Sequence, residues 1–226
     1  MGRSVMMWLR TVIDARTTPF NEVVEEVARV VFSGGTVIYP SDTGYVIACD
    51  PYRGASVDRI YAAKGRADQR PLTLHVASAT EFLEYARDNG LATLAAKRLF
   101  PGPVTLVIRR PAFISEELTA GLPVLGFRVP DDEFARTLLD RCGPLAVIGA
   151  SIDGALPYAG DGQRSVLAEA DLLIERGPTR YRQESSIIDL TGSHPRMLRE
   201  GVVSASRIAE LLGSVERHTV KVRKHI

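Results

Sequence analysis

A chain of 226 residues with 45% hydrophobic, 24% charged and 7% aromatic residues has the make-up of one globular domain, long enough to bury a core without cross-links. Its formal net charge of +1 argues against nucleic-acid binding by the whole surface and leaves room only for a local basic patch. No apolar run reaches the ~18–20 residues that span a bilayer. The Met6-Met-Trp-Leu9 patch is too short for a secretory segment, so a cytoplasmic protein is expected. Cys49 and Cys142 fit no CxxC or Cys/His spacing and read as two buried thiols, implying neither disulfide nor zinc.

Along the chain, Thr18-Pro-Phe-Asn reads as a helix start with proline at the first helical position, followed by an apolar stripe of Phe20, Val23, Val24, Val27, Val30 and Val31. Gly34 and Gly35 end that helix, and a strand follows over 36–39. A helix near 56–64 places Lys64 in its last turn. A strand near 72–76 leads to a helix opened by Ser78-Ala-Thr-Glu81 in capping-box spacing, and another helix covers 91–99. Strands are expected near 103–109, 123–129, 145–150, 171–175, 185–190 and 196–199, with a helix over 131–141 and a last one capped by Ser204. Several late strands follow one another without helices, which points to a mixed sheet rather than a purely parallel one. The fold expected is therefore α/β, a single-domain mixed sheet with flanking helices over 18–212, with an N-terminal extension (1–17) and a basic tail (213–226).

The segment Tyr39-Pro-Ser-Asp-Thr-Gly-Tyr45 is a stiff, hydroxyl-rich turn after a strand, and Lys64, Arg66 and Arg70 follow within seven positions of one another. Turn hydroxyls and amides position a ligand, while lysine and arginine neutralise phosphate or carboxylate. Taken alone, Lys64 and Arg66 would merely complement a helix C-terminus. His75 alone would be an ordinary buried histidine. Arg128 emerges from its strand opposite Phe127 and Val129, and a charge there needs a partner, which a bound carboxylate would provide. Asp189 reads as a structural capping group, and Phe100-Pro-Gly-Pro103 as a rigid turn.

Together with Lys64-Gly-Arg66 and His75, the stretches Phe100-Pro-Gly-Pro-Val-Thr-Leu106, Gly126-Phe-Arg-Val-Pro130, Ser185-Ser-Ile-Ile-Asp-Leu-Thr191 and Leu198-Arg-Glu-Gly201 occur in the order and spacing of a known family. The chain resembles the YrdC-like threonylcarbamoyl-AMP synthases over roughly residues 20–212, with features of their YciO-like paralogues in the order Gly44-Tyr45. The resemblance implies a twisted open mixed sheet with flanking helices packed around a concave, positively charged cavity. It also implies formation of threonylcarbamoyl-AMP from L-threonine, bicarbonate and ATP for tRNA modification, with downstream tRNA-modification proteins as partners. It assigns ATP to Lys64, Arg66, Arg70, Ser151 and Arg199, and threonine to Ser41, His75, Arg128 and Ser185. Mg²⁺ would travel with ATP, no protein-held metal is implied, and no catalytic base is assigned. The chain departs from the family at Gly149-Ala-Ser151, where Ser-Ala-Asn is usual. Two alternatives stay open: an RNA-binding paralogue for double-stranded RNA or tRNA with little synthase activity, and an enzyme making a different carbamoyl-adenylate.

Overall fold

The computed structural model describes residues 11–64, 70–86, 89–151, 158–160, 167, 169–213 and 215–217. Its elements are β1 (Thr11–Asp14), α1 (Phe20–Phe32), β2 (Val37–Pro40), β3 (Tyr45–Cys49), α2 (Gly54–Lys64), β4 (Thr73–His75), α3 (Ala79–Tyr85), α4 (Gly90–Leu99), β5 (Val104–Arg109), β6 (Val124–Arg128), α5 (Glu133–Cys142), β7 (Leu145–Gly149), β8 (Leu172–Glu175), β9 (Ser186–Asp189), β10 (Arg196–Arg199), α6 (Ala205–Leu212) and β11 (Glu216–Arg217). All of these strands join one mixed sheet, in the order β1-β8-β2-β3-β7-β4-β6-β5-β9-β10-β11. Strands β1 and β11 lie outside the 18–212 span expected for the domain and pair with β8 and β10. Among the described residues no helix is long and apolar enough to cross a membrane.

Local chemistry explains the helix boundaries. The Ser78 hydroxyl accepts from the Glu81 amide and the Glu81 carboxylate accepts from the Ala77 amide, so the box closes one residue earlier than its standard form. Asn89, Asp132 and Ser204 cap α4, α5 and α6 through their side-chain oxygens. Pro19 corrects one expectation: with ψ 135° it is the extended residue before α1, not its first helical one. Strand β3 was not expected either. It forms an antiparallel hairpin with β2 across the turn 41–44, and all five of its residues are buried, so it lacks the polar alternation that marks a half-exposed strand.

One face of the sheet is divided in two. Valines of α1 and Phe134, Ala135, Leu138 and Leu139 of α5 bury Val37, Tyr39, Val46, Ala48, Leu145, Val147, Leu172 and Ile174, which belong to β2, β3, β7 and β8. The register carries the same face onward: Val147 pairs with Thr73, Thr73 with Gly126, His75 with Arg128, and Thr105 with Ile187. Over β4, β6, β5 and β9 the face therefore presents Thr73, His75, Arg128, Thr105 and Asp189 interspersed with Val107 and Ile187. The opposite face is largely apolar, packed by α2, α3, α4 and α6, with the buried Ser186 bonded to the Val203 carbonyl.

Gly201, in the Leu198-Arg-Glu-Gly motif, fixes the edge of this polar half. A Cβ there would lie 2.2 Å from the Glu184 carbonyl oxygen and 2.6 Å from the Ser185 carbonyl carbon, backbone atoms that no rotamer change relieves. Gly201→Ala should lower unfolding free energy by about 1–3 kcal/mol in urea titrations. Gly149→Ala, whose Cβ meets nothing within 4 Å, should change it by no more than about 0.5 kcal/mol.

Candidate functional site

The hairpin turn is self-bonded before anything else touches it. The Ser41 hydroxyl donates to the Gly44 carbonyl at 2.8 Å and lies 3.2 Å from the Thr43 hydroxyl, and the Ser41 amide donates to the same carbonyl at 2.9 Å. Asp42 and Thr43 are thereby turned inward, and both are buried.

Arg128 arrives at the end of β6 and takes hold of them. Its Nη1 donates to Thr43 Oγ1 at 2.6 Å, its Nη2 to Asp42 Oδ1, and its Nε to the Gly102 carbonyl at 3.1 Å. The pair is sealed, with side-chain exposures of 4% for Arg128 and 0% for Asp42. This answers the need for a partner with a carboxylate from the chain itself, where a bound carboxylate was expected. The Phe100-Pro-Gly-Pro103 turn does more than feed β5, since its Gly102 carbonyl is one of the three acceptors. Asp42 Oδ2 has no donor among the described residues.

His75 lies beside Arg128 in the ladder, and its Nδ1 is 3.0 Å from the Tyr39 hydroxyl. Burial, reinforced by the Arg128 charge, holds the imidazole well below its ordinary pKa, so it is neutral at physiological pH. Burial likewise raises the Tyr39 phenol, which stays protonated.

A second group of polar residues gathers at β9 and β10. Ser185 Oγ is 3.0 Å from Thr105 Oγ1 and accepts from Arg199 Nη2 at 3.2 Å. Arg199 also donates to the Ser185 carbonyl and pairs with Glu184 at 2.7 Å. Its pKa is lowered chiefly by burial, and the charges of Arg70 and Arg128 push the same way against Glu184, so three arginines share one electrostatic neighbourhood.

Lys64, at the end of α2, is buried and donates to the carbonyls of Gly149 (3.0 Å) and Ser151. It thus ties α2 to the end of β7, where Gly149 pairs with Val46 next to the hairpin turn. The Ser151 hydroxyl accepts from the Tyr158 amide at 2.6 Å. Gly149 has room for a side chain and no left-handed backbone angle, so the segment that departs from the family is not held as glycine by strain.

The structure thus brings Ser41, His75 and Arg128 together on one side, and Ser185 with Arg199 and the charge of Arg70 on the other. Lys64 and Ser151 are joined through the backbone, and Arg66 lies outside the described residues. Sequence reasoning missed Asp42, Thr43 and Thr105 as partners. Asp42 and Thr43 stood inside the quoted turn motif, which marked them as site residues without saying which cation they meet. Asp189 is structural, as read: it accepts from the Thr191 amide and hydroxyl and pairs with Arg196 at 2.5 Å. Both cysteines are free, Cys49 buried and Cys142 partly so, and burial pushes their thiols up to about 12 and about 11. They are unreactive at neutral pH.

These features define a class: α/β proteins built on a single mixed sheet, with a cluster of buried arginine, histidine and hydroxyl side chains on the half-face that α1 and α5 leave uncovered. The chain belongs to the Sua5/YciO/YrdC family, whose model, described as telomere recombination, matches residues 29–201. A relative from Mycobacterium tuberculosis is 35% identical over 185 residues, covering 80% of this chain and 85% of that protein. The threonylcarbamoyl-AMP synthase of Pyrococcus abyssi is 30% identical over 203 residues, covering 88% of this chain, which spans 60% of that longer protein. A crystal structure of P. abyssi Sua5 complexed with L-threonine superposes with a TM-score of 0.84 at 28% identity, over 92% of this chain and 62% of that one.

The neutral His75 makes stability depend on pH. In the unfolded chain a histidine takes up its proton below about pH 6.5. In the fold it does so only well below that, so stability is full above the unfolded value and falls as pH drops through it. Urea unfolding at pH 7.5, 6.5 and 5.5 should show His75→Asn losing part of the wild-type slope, which contributes at most about 1.4 kcal/mol per pH unit.

Proposed function

We propose that this chain is an L-threonylcarbamoyl-AMP synthase, taking L-threonine, bicarbonate and ATP to threonylcarbamoyl-AMP and pyrophosphate for modification of tRNA. The observation that carries the reading is the polar half-face, where the Arg128-anchored turn and the Arg199–Ser185 group supply two differently charged subsites. Membership of a family with an L-threonine complex among its structures supports it.

In this reading Ser41, His75 and Ser185 orient threonine by hydrogen bonds. Arg128 spends two of its five N–H donors on the hairpin turn and a third on the Gly102 carbonyl, and meets the threonine carboxylate through the remaining two. A neutral His75 suits this place, because it accepts or donates one hydrogen bond without adding a charge. Arg70 and Arg199, with Arg66 from the sequence, take the phosphates; Lys64 and Ser151 set the wall beside them. Bicarbonate gives carbon dioxide with loss of water, the threonine amine captures it with release of a proton, and the carbamate oxygen then attacks the α-phosphorus in line as pyrophosphate leaves. Positioning and charge neutralisation do the catalysis, with no covalent enzyme intermediate. Mg²⁺ would be held by triphosphate oxygens and water, because the site's carboxylates, Asp42 and Glu184, are each engaged by an arginine.

Incubation with ATP, bicarbonate and threonine should yield threonylcarbamoyl-AMP by mass spectrometry, with pyrophosphate release dependent on threonine. ATP turnover with carbamoyl phosphate and none with threonine would assign a different acceptor, and RNA binding without turnover would overturn the enzyme assignment. A further prediction uses the altered wall. Gly149→Ser fits without clash and restores the hydroxyl usual in the family, so it should raise threonine-dependent pyrophosphate release by about tenfold at unchanged melting temperature.

A further inference from the structure

Between β8 and β9 the segment 176–184 runs as a strap against the hairpin turn. The Tyr181 amide donates to the Asp42 carbonyl at 2.9 Å, the Thr179 hydroxyl to the Thr43 carbonyl at 3.4 Å, and the Thr179 amide to the Ala159 carbonyl at 2.9 Å. The strap carries three arginines. Two are committed elsewhere: Arg176 pairs with Asp132 at 3.2 Å and lies over the Phe134 ring, while Arg180 pairs with Asp131 at 2.8 Å and lies over Tyr181. Arg182 differs from both. It is exposed and makes no ion pair or side-chain hydrogen bond among the described residues.

Its backbone is also unusual. Arg182 has φ +50°, in the left-handed region that a residue with a Cβ enters at a steric cost and glycine enters freely. Two positions on, Glu184 and Ser185 seat Arg199. A long cationic side chain kept exposed at a strained position, on a strap anchored to the site, is the pattern of a ligand contact rather than of a stability element.

We propose that Arg182 contacts the outer phosphates of the nucleotide, and the pyrophosphate after it leaves, as a cation added to those of Arg70 and Arg199. The inference rests on the reading of this site as nucleotide-binding and adds to it the residue that senses the phosphates beyond the first. A guanidinium matches a phosphate edge with two parallel N–H bonds.

Isothermal titration calorimetry with ATP, AMP and inorganic pyrophosphate tests it on the whole chain. Arg182→Gly removes the cation and relieves the backbone, so its melting temperature should not fall; Arg182→Asn, whose side chain also tolerates the left-handed region, serves if the glycine variant melts early. ATP and pyrophosphate dissociation constants should rise about tenfold to a hundredfold, with AMP changing by less than about twofold and Arg182→Lys recovering part of the loss. Unchanged ATP and pyrophosphate binding overturns the inference, as does a parallel loss for AMP. Wild-type protein that binds ATP in an Arg182-dependent way and still makes no adenylate overturns the proposed synthase function alone; wild-type protein that binds no ATP overturns both.

Discussion

The buried ion pair between Arg128 and Asp42 is the constraint on which the site depends. It joins β6 to a turn that belongs to β2 and β3, on the far side of β7 and β4 in the sheet. Removing charges from water is costly, and the pair is tolerable because Arg128 also bonds Thr43 and the Gly102 carbonyl. The balance is incomplete. Asp42 Oδ2 lacks a donor among the described residues, a deficit on the order of 1–3 kcal/mol. An apolar pair of the same volume would serve stability as well or better. What it would not do is hold a hydroxyl-rich turn in one orientation beside a neutral histidine, and this is the service the ion pair performs.

The same trade is written into the sheet. α1 and α5 cover only the half-face over β2, β3, β7 and β8, where every inward residue is apolar. Beyond β7 polar side chains enter the face, and His75, Thr105 and Arg128 are satisfied there by Tyr39, Ser185 and the hairpin turn, where an apolar helix surface would offer no such partners. The gap in helix cover is thus a consequence of strand composition, with the largely apolar opposite face supplying the burial that the polar half gives up.

Much of this was legible in the sequence. Capping serines at 78 and 204, the valine stripe of α1 and the polar break in Gly126-Phe-Arg all mark their elements through local chemistry. Strand β3 was not, because a strand buried on both faces shows no period and Tyr45 to Cys49 reads as an extension of the turn. β1 was missed because four residues with two polar ends carry too little pattern until β8 pairs with them. In the site, the need of Arg128 for an anion followed from strand alternation alone. That Asp42 meets the need did not, since nothing local records which of 27 acidic residues arrives from a distant turn.

That distance has a kinetic consequence. The turn is clamped by residues 86 positions away at Arg128 and 136 positions away at Thr179. Contacts of such sequence separation form only after long loops have closed, so the helices and the β2–β3 hairpin assemble before the recess does. A nascent chain that has emerged only as far as β6 holds Arg128 and Asp42 but not the strap, and one that stops short of β10 lacks Arg199. Ligand-binding competence therefore arrives with nearly the last part of the sheet to be synthesised, and a truncated chain is a folding intermediate without being a smaller enzyme.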